Sequence, residues 1–186
     1  SVITPPAPVT VTASLAALDA SFRSYQVTTE SASTNMVARI VMQRMLAMIR
    51  TGTEFGPYPL DVLDASQNPL TSTSIEFVSA EDSANDYRQI TRIETVEDED
   101  ANDGSMILML TLEEHHGEDV TEEQHPLLRG VRDATFTLEY DIGPRLRLAT
   151  VDLTIQPETL SDAGMRMVNT DTNSIRLVAS SSPRRI

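Results

Sequence analysis

Apolar positions recur along the chain with two different periods. Over residues 35–52, "NMVARIVMQRMLAMIRTG", Val37, Val41, Met45 and Met48 step by three and four. Met36, Ile40 and Ile49 widen that stripe, and Arg39, Gln43 and Arg50 lie largely off it. This is the spacing of one helix face. Leu15, Leu18, Phe22 and Tyr25 repeat the same steps further upstream. The segment between, "VTTESASTN", consists of weak helix formers that either continue the helix as a polar stretch or break it. Read as continuous, the helix spans 13–51. Gly52 is the expected C-cap, with Pro57 beyond it, and Arg50 suits the dipole of the last turn.

After the helix the period shortens to two. "SIEFVSA" alternates Ile75 and Phe77 against Ser74 and Glu76; "ATFTLEYD" alternates Phe136, Leu138 and Tyr140 against Thr135, Thr137 and Glu139. "YRQITRIETVE", "RLRLATVDLTIQP" and a last short "SIRLVAS" also read as strands, and the nearly unbroken apolar "SMILMLTLEE" reads as a central one. "NDG" at 102–104 and "DIGP" at 141–144 suit hairpin turns. "TEFGPYPLDVLDASQNPLTST", rich in Pro, Asp and Ser, reads as a loop. A helix followed by antiparallel strands predicts an α+β domain in which a long N-terminal helix lays its stripe on one face of the sheet. Met36, Met42, Met45 and Met48 then read as core filling rather than as a binding groove. The expected organisation is a leader over 1–12, extended by Pro5, Pro6 and Pro8, then the helix over 13–51, then a sheet head over 52–186.

Charge and composition narrow the function. At 186 residues the chain is long enough for one domain with a real core, and it carries 28 acidic residues against 14 basic ones, all arginine, for a net charge of −14. Such a surface repels phosphate backbones and anionic lipid, so no nucleic-acid partner is expected. With no cysteine, disulfides, thiolate metal sites and a cysteine nucleophile are excluded.

Two segments hold residues of metal-binding type. "EEHHGEDVTEEQH" contains His115, His116 and His125 among carboxylates, but adjacent histidines on a strand face opposite ways and the spacing fits no zinc motif. The segment is read as a solvated loop. "VEDEDANDG" places Asp98, Asp100 and Asn102 at the first, third and fifth positions of a calcium loop. Its glycine falls one residue late, and Met109 stands where the bidentate glutamate belongs. An EF-hand is rejected, and an acidic hairpin turn with at most loosely bound calcium is expected. No G-x-S-x-G, H-E-x-x-H or Walker glycine loop occurs, so no catalytic residues are assigned and no enzyme is expected.

One resemblance bears on function. "LDASFRSYQVTTESASTNMVARIVMQRMLAMIRTGTEF" resembles the region just past the membrane segment in pilin-like proteins. "HPLLRGVRDATFTLEYD" and "RLRLATVDLTIQPE" resemble a passage of minor pseudopilins, nearest to the J-type subunits of type II secretion and related minor pilins. The likeness covers about residues 14–156 plus the "SSPRR" ending, mostly at apolar positions. The family's processing site and apolar stem have no counterpart in "SVITPPAPVTVTA". The resemblance implies a pilin-like head, periplasmic or otherwise extracytoplasmic. The full-length form would be anchored in the inner membrane by a helix missing here. The head would assemble with other minor pseudopilins or pilins at a filament tip and contact secreted cargo. Leu15, Leu18, Phe22 and Tyr25 would form a subunit interface or continue the core, the interface being favoured, above all for Leu15 and Leu18. A generic extracytoplasmic ligand-binding domain is the alternative, and a hydrolase a more distant one.

Overall fold

The structure, a computed structural model, describes residues 32–101, 104–143, 145–156 and 174–184. A single helix, α1 at 32–51, precedes eight strands. These are β1 (Thr53–Gly56), β2 (Leu70–Ser72), β3 (Ser74–Asp82), β4 (Tyr87–Glu97), β5 (Met106–His116), β6 (Asp119–Asp141), β7 (Arg145–Ile155) and β8 (Ile175–Ser181). They form one antiparallel sheet in the order β1-β3-β4-β5-β6-β7-β8, with β2 added against β6.

The expected α+β fold with a long helix is corrected by these proportions. Strand accounts for 59% of the described residues and helix for only 15%. The described residues form a mostly-β antiparallel sheet with one short helix. Residues 13–31, where the longer helix and the positions Leu15, Leu18, Phe22 and Tyr25 were expected, lie outside the described residues, as does the leader over 1–12.

β6 organises the sheet. Its 23 residues change neighbours along their length: Asp119 to Val131 pair with β5, and Val131 to Asp141 pair with β7. Register shifts fall on both sides of this joint, which bend a strand and raise its twist. Gly130 sits at the bend with φ +72°, a conformation that side chains disfavour. Its carbonyl accepts from the Gln156 N–H at 2.9 Å.

The core gathers on one face. Ile75, Phe77, Ile93 and Leu108 come from the first half of the sheet, and Phe136, Leu138, Val151 and Leu153 from the second. Ala38, Met42, Met45 and Ile49 of α1 complete it. Each large side chain fully buried there contributes about 1.5–3 kcal/mol.

Two local expectations change. The helical stripe is rotated: Val41 and Met48 are only half-buried, and Val37, Met36 and Ile40 are exposed. The buried row is Ala38, Met42, Met45 and Ile49. Gly52 follows the helix and its N–H donates to the Met48 carbonyl, yet it is not one of the positive-φ glycines. Its role is spatial, since a Cβ there would lie 2.5 Å from the Phe77 ring. The Pro/Asp/Ser-rich segment read as loop contains both β1 and β2. Asn68 roots its remainder by bracketing Tyr140, donating to the carbonyl and accepting from the N–H, both at 2.9 Å.

Candidate functional site: an uncovered helix face and an acidic arm

The side of α1 turned away from the sheet is apolar where solvent would favour polar residues. Met36 is 66% exposed, Ile40 58% and Val37 47%. Arg39, Arg44 and Arg50 flank this ridge, and no acidic residue occurs anywhere in 32–51. The sheet treats its arginines differently. Arg88, Arg92, Arg129, Arg147 and Arg176 are bridged to Glu54, Glu76, Asp98, Glu139 and Asp152 respectively. Among the described residues, no carboxylate lies within salt-bridge distance of the three helix arginines, in a chain with twice as many acids as bases. Arg39 instead donates within the helix to Asn35 Oδ1 at 2.7 Å.

Under the N-terminal half of α1 lies an open groove of about 220 Å³, lined by Ser33, Thr34, Val37, Leu128, Arg129, Gly130 and Gln156. Ligand pockets usually enclose about 300–1,000 Å³. The groove falls short of that and is a seam between helix and sheet.

Opposed to the helix in charge is the turn end of the β5–β6 hairpin, which β4 flanks through the Tyr87–His116 pair. "EEHHGEDVTEEQH" is not a loop: it forms the end of β5, a turn at Gly117 with φ +60°, and the start of β6. Strong cross-strand pairing overrides its poor strand composition. His115 and His116 lie on opposite faces, as their adjacency requires. His115 Nε2 is 2.7 Å from Glu113, the His116 ring packs on Tyr87 with centroids 4.8 Å apart, and His125 Nε2 is 3.4 Å from Glu123. Their registry partners are Val120, Asp119 and Leu110 in turn. The three histidines therefore do not converge.

The acidic turn is also resolved differently from a calcium loop. The Asp98 side chain is only 3% exposed, and Arg129 Nη1 donates to both its oxygens at 2.9 and 3.1 Å. Asp98 Oδ1 also accepts from the Asp100 N–H, and Asp100 itself is exposed, 3.8 Å from Arg129. Asn102 lies outside the described residues. Among the described residues no group of three or more His, Asp or Glu is placed to hold a metal.

Elsewhere, burial pushes the Tyr140 phenol well above its usual range, with the neighbouring Tyr58 adding to the rise. Its hydroxyl donates to the Pro57 carbonyl at 2.8 Å. No helix of the described residues is long and apolar enough to cross a membrane.

Sequence reasoning placed Met36, Val37 and Ile40 in the core and so missed the outward ridge. Two signals were available: Ala38 at the start of a second row, with Met42, Met45 and Ile49 at i+4, i+7 and i+11, and the absence of acids across 32–51. Compared with known proteins, the chain matches no family model, no curated protein and no solved structure. Its function must be argued from its own surfaces.

Proposed function

We propose that the chain is a structural, non-enzymatic subunit that assembles with protein partners through the outward face of α1. The observation carrying this reading is the exposure of Met36, Val37 and Ile40 on one ordered helix between unpaired arginines. Interface cores favour large apolar side chains and Met, and arginine is enriched around them. A contiguous apolar ridge of this kind marks an interaction site more often than a lone exposed leucine does. The ligand-binding alternative needs a deeper cleft than the groove beside Val37 supplies.

The resemblance to minor pseudopilins gives this reading its concrete form. The domain would be an extracytoplasmic head, held at the inner membrane by a segment not present here, packing against sibling subunits of a secretion pseudopilus or pilus and touching secreted cargo. The mostly-β fold lends that form no support, so the weight rests on the helix face.

The test is co-purification with candidate minor pseudopilin heads, comparing the wild type with Met36→Glu/Ile40→Glu. Both positions are exposed, so the variant should keep its circular dichroism spectrum and melting temperature. Affinity should fall at least about tenfold, the loss expected on removing one apolar anchor of roughly 1.4 kcal/mol. Undiminished binding by the variant would refute the helix-face reading. A wild type that binds none of these heads would refute its pseudopilin form.

A further inference from the structure

We infer that the helix face is occupied by the acidic β5–β6 arm of a second copy of this chain, in a head-to-tail contact. The inference rests on the helix-face reading above and supplies its partner.

Three observations converge. First, the two surfaces are complementary in charge. Among the described residues Arg39 and Arg44 have no carboxylate partner, whereas the arm's outer strand, Asp119 to Pro126, is exposed at every position. Second, the arm pairs two carboxylates across its ladder. Glu113 and Glu122 stand directly opposite each other across the β5–β6 ladder, an arrangement that is unfavourable by itself. Glu113 lies 2.7 Å from His115 and Glu122 accepts from Gln124 at 2.9 Å; among the described residues neither is bridged to an arginine, and Arg88, opposite His115 on β4, is taken by Glu54. A guanidinium from outside would satisfy both carboxylates. Third, Val120 shares that face, as the partner of His115 two positions along, and is 54% exposed. It offers an apolar spot to meet Met36 and Ile40. The dimensions agree as well. Residues 36–50 of a helix span about 21 Å, and residues 119–125 of a strand span about 20 Å.

The contact joins two different surfaces of the same chain, so each copy keeps one helix face and one arm free. Such heterologous contacts propagate into rings or open chains rather than stopping at a symmetric dimer. Exposed ion pairs are screened by salt over about 10 Å at 0.1 M, so the assembly must weaken as salt rises.

The experiment is sedimentation velocity on the 186-residue chain over a concentration series, at about 0.05 M and about 0.5 M salt. The wild type should grow in mass with concentration at low salt and return toward monomer at high salt. Arg39→Glu/Arg44→Glu and Glu113→Arg/Glu122→Arg should each remain monomeric with unchanged circular dichroism. A chain carrying all four reversals should regain association, because opposite charges then face each other again. This rescue separates a broken contact from a damaged fold. A wild type that stays monomeric at low salt, association untouched by either reversal, or no rescue in the combined chain would each overturn the inference. Binding of a sibling head that depends on Ile40 would leave the broader helix-face reading standing even then. Loss of neither self-association nor sibling binding in Met36→Glu/Ile40→Glu would remove both.

Discussion

From Val131 onward, β6 alternates buried and half-exposed positions and is flanked by β7 and by the short β2, whereas from Asp119 to Pro126 every position is exposed and the pairing is to β5. The backbone ladder is the same in both halves. What differs is what the side chains meet. Phe136, Leu138 and Tyr140 enter the core, while Val120, Glu122 and Gln124 meet solvent and one another. A ladder hydrogen bond adds about 0.5–1.5 kcal/mol net, and a buried Phe or Leu adds about 1.5–3. The second half of β6 therefore holds the fold, and the first half is held by it. An element of low local stability and high charge can be shaped by what it binds, since its residues are not committed to packing.

The contrast is broken most directly at Phe136, which is fully buried in the core cluster opposite Val151 of β7. Phe136→Ala should cost about 3–5 kcal/mol in urea unfolding. A loss below about 1 kcal/mol would mean that the second half is no more committed to the core than the arm. The joint between the halves comes next. At Gly130 a Cβ would meet the Gln156 carbonyl at 2.8 Å with φ at +72°. Gly104 has nearly the same φ, +71°, with nothing within 4 Å. Gly104→Ala should cost about 1 kcal/mol through backbone strain alone. Gly130→Ala should cost about 2–3 kcal/mol, because the clash is added to the strain. Equal losses in the two unfolding curves would place the close approach of β7 to the bend in doubt.

How much of this the sequence disclosed depends on whether local pattern or distant pairing decides each element. β3, β4, β5, the second half of β6, β7 and β8 carry enough alternation or apolar density to be read directly, and the turn at Gly143, with φ +89°, follows from "DIG". β1 and β2 are short edge pieces whose strand state comes from β3 and β6, so their Pro/Asp/Ser-rich surroundings hide them. The arm was misread for a related reason, because acidic residues predict a loop and the ladder to β5 overrides them. Helical period located α1 but not its rotation. Met, Val and Ile occur all round it, so apolar spacing alone does not choose between the Val37 row and the Ala38 row. The Asp98–Arg129 pair spans 31 positions, and no spacing rule connects residues that far apart. The uncovered ridge was hidden by the assumption that apolar helix positions belong to the core.

A smaller effect distinguishes the packed end of β6 by titration. The folded state holds the Tyr140 phenol protonated to higher pH because it is buried, and its usual value is about 10. Above that pH the unfolded chain releases a proton the folded chain keeps, so stability falls as pH rises further. Tyr140→Phe removes both the hydroxyl and this liability. At neutral pH it should lose about 0.5–1.5 kcal/mol with the bond to the Pro57 carbonyl. Above about pH 10 the deficit should shrink. Unfolding curves for the two proteins that stay parallel from neutral to alkaline pH would show that the phenol is not held this way.

The finest comparison uses one substitution in each half, because both change a glutamate to its uncharged isostere on β6. Glu139 is bridged to Arg147 on the neighbouring β7, and its side chain is 28% exposed. Glu139→Gln removes that attraction and should destabilise by up to about 1 kcal/mol, as partly exposed ion pairs do. Glu122 faces Glu113 across β5 without a salt bridge of its own. Glu122→Gln removes repulsion and should stabilise by about 0.2–0.5 kcal/mol, the scale of a cross-strand like-charge pair. Added salt should shrink both differences, since each is an exposed charge effect. Opposite signs would show that the packed half carries charges matched by arginine within the chain, and that the Glu113–Glu122 pair of the arm is bridged to no arginine among the described residues. The same sign in both would remove the reason to regard the arm's acidity as a surface kept for a partner.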